Sequence, residues 1–416
     1  MATADLASDT EELDPFDAFN RAMGAGIVED PYPDFARSRA QGPIHGGSGF
    51  TLDGASADET LPEELPGLFT AYSFEAVQQV LRDNETFSSS GYSMVMGPVM
   101  GRSILEMDEP EHHAYRALLQ QAFTRKAMER WEAEVVKPVV DRLIDRFAAD
   151  GRAELVRSLH FPFPMTVIAA LLGLPDSQLD DFHRLGVELI AVSVDPERAR
   201  VASAKLGELF LEQIERRRQQ PADDMITLLC QAEHDGQRLT DDEILAFLRL
   251  LLPAGAETTY RSSSNLMCGL LTHPDQLDAL RRDRSLLPQA IEEGLRWECP
   301  LLMIVRIAVR DAEVCGVRIP AGSVVMTNLG SANRDESRWE HPERFDIFRE
   351  QKAHLAFAAG PHTCLGMHLA RMETAVVVNA LLDRLPNLRA DPDHEPPRIT
   401  GLTFRSPSAL HVVWDT

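Results

Sequence analysis

Phe357-Ala-Ala-Gly360-Pro-His362-Thr-Cys364-Leu-Gly366 sets a single cysteine on a glycine-bordered loop directly before a long apolar segment. Met367, Leu369, Met372, Val376 and Ala380 recur at helical spacing, so Cys364 stands near the N-terminus of a predicted helix. Free N–H groups and the helix dipole there favour negative charge and stabilise a thiolate without a neighbouring cation. Gly360 and Gly366 permit backbone conformations closed to other residues and let the loop lie against a flat ligand. Phe357 is suited to packing beside the sulfur and keeping water away.

Outward from this loop, composition sets the frame. No Gly/Ser-rich or Pro-rich linker divides the 416 residues, which reads as a single domain over 15–416 with a core large enough to enclose a cofactor. Forty-one basic against 65 acidic residues give a net charge of −24, which argues against a nucleic-acid binder and against adhesion to anionic membranes. Small neutral or apolar ligands fit better. Residues 1–14 hold Asp5, Asp9, Glu11, Glu12 and Asp14 without a basic residue or an apolar run, the pattern of a disordered acidic tail on a cytoplasmic protein. Cys230, Cys268, Cys299, Cys315 and Cys364 lack CxxC spacing, so neither a disulfide framework nor a zinc site is expected.

Leu/Ala/Arg/Glu-rich amphipathic segments dominate residues 110–300, and short Val/Ile runs occur near both ends: a mainly α fold with small β-sheets. Thr240-Asp-Asp-Glu243 is a capping box that opens the apolar run Ile244 to Leu252. The run continues into Pro253-Ala-Gly255-Ala-Glu257-Thr258-Thr259, where proline removes a backbone donor and glycine exposes backbone. A distorted helix with a groove open to dioxygen or water is predicted there. Glu257 and Thr258 stand at its opening; taken alone, they are two ordinary polar residues at a helix end.

The cysteine loop resembles the haem-binding loop of the cytochrome P-450 family, whose proximal iron ligand is a cysteine thiolate. Other segments are similar to the same family: Glu293-Gly-Leu-Arg296 to its ExxR signature, Ala254 to Thr259 to its oxygen-binding helix, and Asp30 to Phe35 to the usual start of its fold. Ala332 to Asp335 and Gly316 to Gly322 match a loop and a hairpin turn. One departure is Ala358, where many members have glycine.

The resemblance implies a fold that holds haem b (iron protoporphyrin IX) between the central (I) helix and the cysteine loop with its following (L) helix. Cys364 is then the axial ligand of the iron, with Phe357, Gly366 and Gly255 beside the cofactor. His112, Arg116, Arg306, His354 and His362 match positions that contact the propionates. Glu257 and Thr258 match the acid–alcohol pair that delivers protons to O2, while Glu293, Arg296 and Arg344 form a structural ion network. The implied reaction inserts one oxygen atom of O2 into a small hydrophobic substrate. Electrons come from NAD(P)H through a separate ferredoxin and ferredoxin reductase, which dock near Arg125, Lys126, His368 and Arg371. No nucleic acid or membrane partner is implied, and the chain is expected to be a monomer.

Met94, Val95, Met96, Val99 and Met100 correspond to a substrate-contacting region, with Leu302, Met303, Ile304, Leu402 and Thr403 as further walls. Ordinary core filling explains the methionines equally well. Arg102 is a candidate partner for a substrate carboxylate. Two other readings stay open: a haem-thiolate protein that isomerises, dehydrates, reduces or only binds gas, and a cysteine hydrolase pairing Cys364 with His362 or His354.

Overall fold

The computed structural model describes residues 28–47, 66–193 and 195–416, together with positions 17, 20, 21, 25, 51, 52, 55 and 56. The acidic segment 1–14 lies outside the described residues. From Asp30 onward the chain follows the expected start: the Asp30 carboxylate accepts from the Tyr32 N–H at 3.0 Å, and a helix runs over Tyr32–Gln41.

The principal sheet gathers strands from distant parts of the sequence. β1 (Ile44–Gly46), β2 (Leu68–Ala71), β3 (Phe87–Ser88), β4 (Met303–Ala308) and β5 (Val324–Asn328) lie in the order β1-β2-β5-β4-β3. β2 and β5 run parallel, with Leu68 opposite Val324; the other pairs are antiparallel, Arg306 opposing Val325. Ala312–Val314 and Val317–Ile319 form the expected small hairpin, turning through Cys315 and Gly316, both at positive φ.

Helices build the remainder, and five of them position the site: α1 (Glu111–Leu119), α2 (Asp241–Leu251), α3 (Thr258–Thr272), α4 (Leu287–Trp297) and α5 (Met367–Arg384). The capping box forms, with Thr240 Oγ1 accepting from the Glu243 N–H and Glu243 accepting from the Thr240 N–H. Between α2 and α3 the segment Leu252–Glu257 is π-helical, which is the distortion that Pro253 and Gly255 predict. α3 is buried along nearly all of its length and packs on α4 and α5.

The buried face of α5 differs from the predicted apolar stripe. Leu369, Glu373, Val376, Val377, Leu381 and Leu382 are buried, whereas Met367, Met372 and Ala380 are only half-buried. α5 lies between several elements, so partners on two sides widen the face beyond one helical stripe.

Candidate active site

The cysteine loop is held by its own backbone. The Cys364 N–H donates to the Phe357 carbonyl at 3.0 Å, and Thr363 donates to Gly360 through both its N–H (3.0 Å) and its hydroxyl (2.7 Å). Gly360 adopts φ +75°, and a Cβ on it would lie 2.4 Å from the Leu81 carbonyl oxygen, so only glycine fits. Ala358 also sits in the left-handed region, at φ +59°, a position that costs an alanine about 1 kcal/mol. The departure from glycine at Ala358 is thus felt in the backbone.

Cys364 is open on one side, although protein surrounds most of its sulfur, and burial pushes the thiol up. The Gly366 N–H and the guanidiniums of Arg116 and Arg371 draw it down in turn. The helix terminus thus acts with two cations rather than without one. Arg116 of α1 reaches the loop directly, its Nη2 donating to the Thr363 carbonyl at 2.7 Å. The Phe357 ring lies beneath the Arg371 guanidinium, 4.4 Å from its centroid, and 6.1 Å from the His354 ring.

A second group of side chains converges on the front of the loop. His112 is buried on α1, its ring 4.1 Å from that of His362. His112 Nδ1 meets Glu109 at 3.3 Å, while its buried Nε2 has no hydrogen-bond partner among the described residues. His362 Nε2 meets Ser89 Oγ at 3.1 Å. Burial, then the nearby His112, Arg306 and Arg116, lowers the His362 pKa to about 3. Arg306 on β4 is buried, and burial likewise lowers its pKa and that of Arg116. Two buried guanidiniums and two imidazoles that burial keeps neutral until an anion favours their protonation suit the two carboxylates of haem. His113, the neighbour of His112, is exposed.

His354 does not join this group. Its Nε2 lies 3.2 Å from Glu292 and its Nδ1 accepts from the Ala356 N–H at 3.2 Å, so both ring nitrogens are committed behind the loop. Glu292 also binds Arg371 twice, at 2.6 and 2.9 Å. Burial pushes the Glu292 carboxyl up, yet Arg371 and His354 outweigh it and hold the group at about 2.

The ExxR pair is buried, Arg296 donating to Glu293 at 2.7 Å through both Nε and Nη2. Arg344 does not complete the network with its side chain, which is exposed beside Glu343. Its carbonyl accepts from Arg296 at 3.0 Å, and Arg349 supplies the second guanidinium, 3.3 Å from Glu293. The turn after Pro342 points Arg344 outward and brings Arg349 back under α4.

At the π-helical segment Thr258 is half-buried and its hydroxyl donates to the Ala254 carbonyl at 2.7 Å. Glu257 points elsewhere. It is buried and accepts from Arg261 Nε at 2.7 Å, and Arg261 also binds Ser406 Oγ at 2.9 Å and Asn20 Oδ1 at 2.7 Å. Burial pushes the Glu257 carboxyl up and Arg261 draws it back. The Cβ direction of Gly255 faces Ile168 and Leu251. Gly366 caps α5 with open space at its Cβ position.

The candidate substrate walls divide. Val99, Met100, Leu302, Met303 and Leu402 are buried members of the hydrophobic core, the ordinary reading of such residues. Met96, Ile304 and Thr403 are half-buried and Met94 is 76% exposed, while the side chain of Val95 lies outside the described residues. Arg102 pairs with Glu111 at the surface, so its charge is already matched. Sequence reasoning missed Ser89, Tyr92, Glu292 and Arg349. Tyr92, whose hydroxyl accepts from the Val305 N–H at 3.2 Å and contacts Arg306, follows a serine run with no periodic signal.

A family model for cytochrome P450 matches residues 195–411. The chain belongs to the cytochrome P450 family. The P450 monooxygenase PikC of Streptomyces venezuelae is 36% identical over 89% of this chain and 87% of its own length. The steroid C26-monooxygenase of Mycobacterium tuberculosis is 38% identical over 80% and 91%. The crystal structure of CYP109E1 from Bacillus megaterium in complex with testosterone superposes with a TM-score of 0.82 at 31% identity, covering 93% of this P450 and all of that chain. This P450 is a haem-thiolate monooxygenase, and its fold places haem between α3 and the cysteine loop. Among the described residues no helix is long and apolar enough to cross a membrane.

Proposed function

We propose that this P450 inserts one oxygen atom of O2 into a hydrophobic substrate of about steroid size, with electrons from a separate ferredoxin and its reductase. The observation that carries the monooxygenase reading at the level of residues is the Thr258 hydroxyl, held on the Ala254 carbonyl across the π-helical turn. Haem, when bound, supplies O2 binding and activation assisted by the thiolate. Cys364 supplies that thiolate, steadied by the Gly366 N–H, Arg116 and Arg371. Arg116, Arg306, His112 and His362 would hold the propionates. Thr258 would leave the Ala254 carbonyl and offer its proton at the open side of the π-helical turn; Glu257 would exchange protons with solvent only when Arg261 releases it. The hydrolase reading is disfavoured, because Glu292 and the Ala356 N–H engage both ring nitrogens of His354 and His362, with a pKa of about 3, is a weak base.

A neutral apolar substrate is favoured by the half-buried Met96 and Ile304 and by the pairing of Arg102 with Glu111. The steroid named for the mycobacterial relative and the testosterone in the Bacillus structure support that size. Arg125, Lys126 and His368 are exposed and suit an acidic ferredoxin, whereas Arg371 is neutralised by Glu292. For Thr258→Ala, product formed per NAD(P)H consumed should fall about tenfold or more while electron uptake continues. Unchanged coupling sinks the proton-delivery role. Titration with steroid and fatty-acid panels checks the substrate class, the ferric spin state responding to steroids first.

A further inference from the structure

Directly after α4 stands Glu298, a buried carboxylate with no part in the site described above, which joins three distant segments to its own. Its Oε2 accepts from the Tyr32 hydroxyl and from Arg405 Nε, both at 3.0 Å, and its Oε1 accepts from Arg334 Nη2 at 2.9 Å. Arg334 lies over the Tyr32 ring, 3.4 Å from its centroid, and makes two further bonds to the Trp297 carbonyl at 2.8 and 2.6 Å. Arg405 turns the rest of its guanidinium onto backbone. Its Nη1 donates to the Gly401 carbonyl at 2.5 Å, and its Nη2 to the carbonyls of Ile399 at 3.1 Å and Glu29 at 3.2 Å. Asn265 of α3 donates to the carbonyls of both Glu298 and Arg405 at 3.1 Å. All four charged or phenolic partners are buried.

Arg405 closes a short hairpin. Ile399–Thr400 and Ser406–Pro407 pair antiparallel, and Leu402 and Thr403 stand in the turn between them. A ladder of two residues a side fixes a hairpin only marginally. Arg261 of α3 holds its base at Ser406 Oγ, and Arg405 holds its turn from inside. The turn is also bonded to the segment leading into β4: the Leu302 N–H donates to the Thr403 carbonyl at 2.9 Å, and the Arg405 N–H to the Pro300 carbonyl at 3.2 Å. We infer that Glu298 and Arg405 are positioning residues of the substrate pocket, setting the turn of Leu402 and Thr403 against the wall of Leu302, Met303 and Ile304. Glu298 begins the segment that carries one wall and Arg405 ends the turn that carries the other, so one charge-assisted bond fixes both relative to α3. The rigid fork of a guanidinium reaches the carboxylate and two carbonyls of the turn at once, whereas a lysine presents a single charged point.

The inference rests on the reading of these residues as substrate walls, and its test separates the two. Imidazole and phenylimidazole are titrated into the ferric holoenzyme, each binding iron through a ring nitrogen. The first needs only access to the iron; the second also needs room for a phenyl group between the walls. Arg405→Lys should bind imidazole as the wild type does and phenylimidazole severalfold more weakly. Glu298→Gln, which leaves one acceptor for three donors, should do the same. Tyr32→Phe takes a hydrogen bond from the same carboxylate without touching the turn, so it should lower Tm and leave both affinities unchanged. Thr403→Trp, which fills the space in front of the turn, should block phenylimidazole; unchanged binding there sinks the wall reading and the inference with it. Phenylimidazole blocked by Thr403→Trp but unaffected by both Arg405→Lys and Glu298→Gln overturns the inference alone. Equal weakening of the two azoles overturns it too, as does failure of both variants to take up haem, since the pair is then needed for the fold itself.

Discussion

The two sides of the cysteine loop are both dense in charge, and they treat it in opposite ways. Behind the loop, Glu292, Glu293, Arg296, Arg349, Arg371 and His354 interlock, each guanidinium meeting a carboxylate. In front, Arg116, Arg306, His112 and His362 gather; Asp108 is bound by Ser88 and Ser89 and acts on Arg306 only at longer range, and Glu109 meets His112 Nδ1 and the His113 N–H. A saturated network is closed and serves the fold. Two half- to fully buried guanidiniums beside two imidazoles kept neutral by burial leave the front unsaturated, and an anionic ligand there gains charge-assisted hydrogen bonds and favours the protonated rings.

The sharpest way to break this contrast is to remove one charge from each side. Glu293→Ala strands Arg296 and Arg349 in the interior and should cost about 3–5 kcal/mol, read as lost thermal stability and lost folded yield. Arg306→Leu should do the reverse to the haem-free protein, leaving its stability unchanged or raised because a buried, suppressed cation is gone. Haem affinity should nevertheless fall by about 10- to 100-fold, the worth of a charge-assisted hydrogen bond. If Arg306→Leu unfolds the protein as Glu293→Ala does, the distinction collapses.

Acid should separate the sides next. His362 has a folded pKa below its unfolded value, so its contribution is complete above 6.5 and is lost as pH falls toward about 3. At about pH 5 the haem-free protein should have given up roughly 2 kcal/mol on this account, and haem should abolish the loss because propionates favour the protonated ring. The rear network, through Glu292, weakens only as pH falls from 4.5 to about 2. Chemical denaturation of both forms at stepped pH checks the two windows. The smallest effect belongs to the loop between them: Ala358→Gly relieves left-handed strain but frees the unfolded chain, for a net gain below about 1 kcal/mol and a Tm rise of about 1 °C.

What the sequence disclosed follows from how local each cause is. The cysteine loop, the capping box at Thr240 and the helix distortion at Pro253 and Gly255 arise from neighbouring residues, and all three were legible. The Arg344 and Arg349 assignment was not, because two arginines five apart on a loop are separated only by the direction of the turn that carries them. His354 and His362 differ likewise: both precede the cysteine closely in sequence, yet Glu292 of α4 engages one and Ser89 the other. The burial of Glu373 was invisible because its position on α5 was judged by apolar spacing, whereas α5 is buried on a face wider than one stripe.

The parallel pairing of β2 with β5 sets the order in which this protein can be made. Leu68 meets Val324 across more than half the chain, and β4, which carries Arg306, is pinned to the strand that makes this pairing. During synthesis the N-terminal strands leave the ribosome long before their partner exists, so the sheet and its Arg306 anchor are assembled last. Cofactor capture is thereby a late event in biogenesis, confined to chains whose C-terminal third has already been translated.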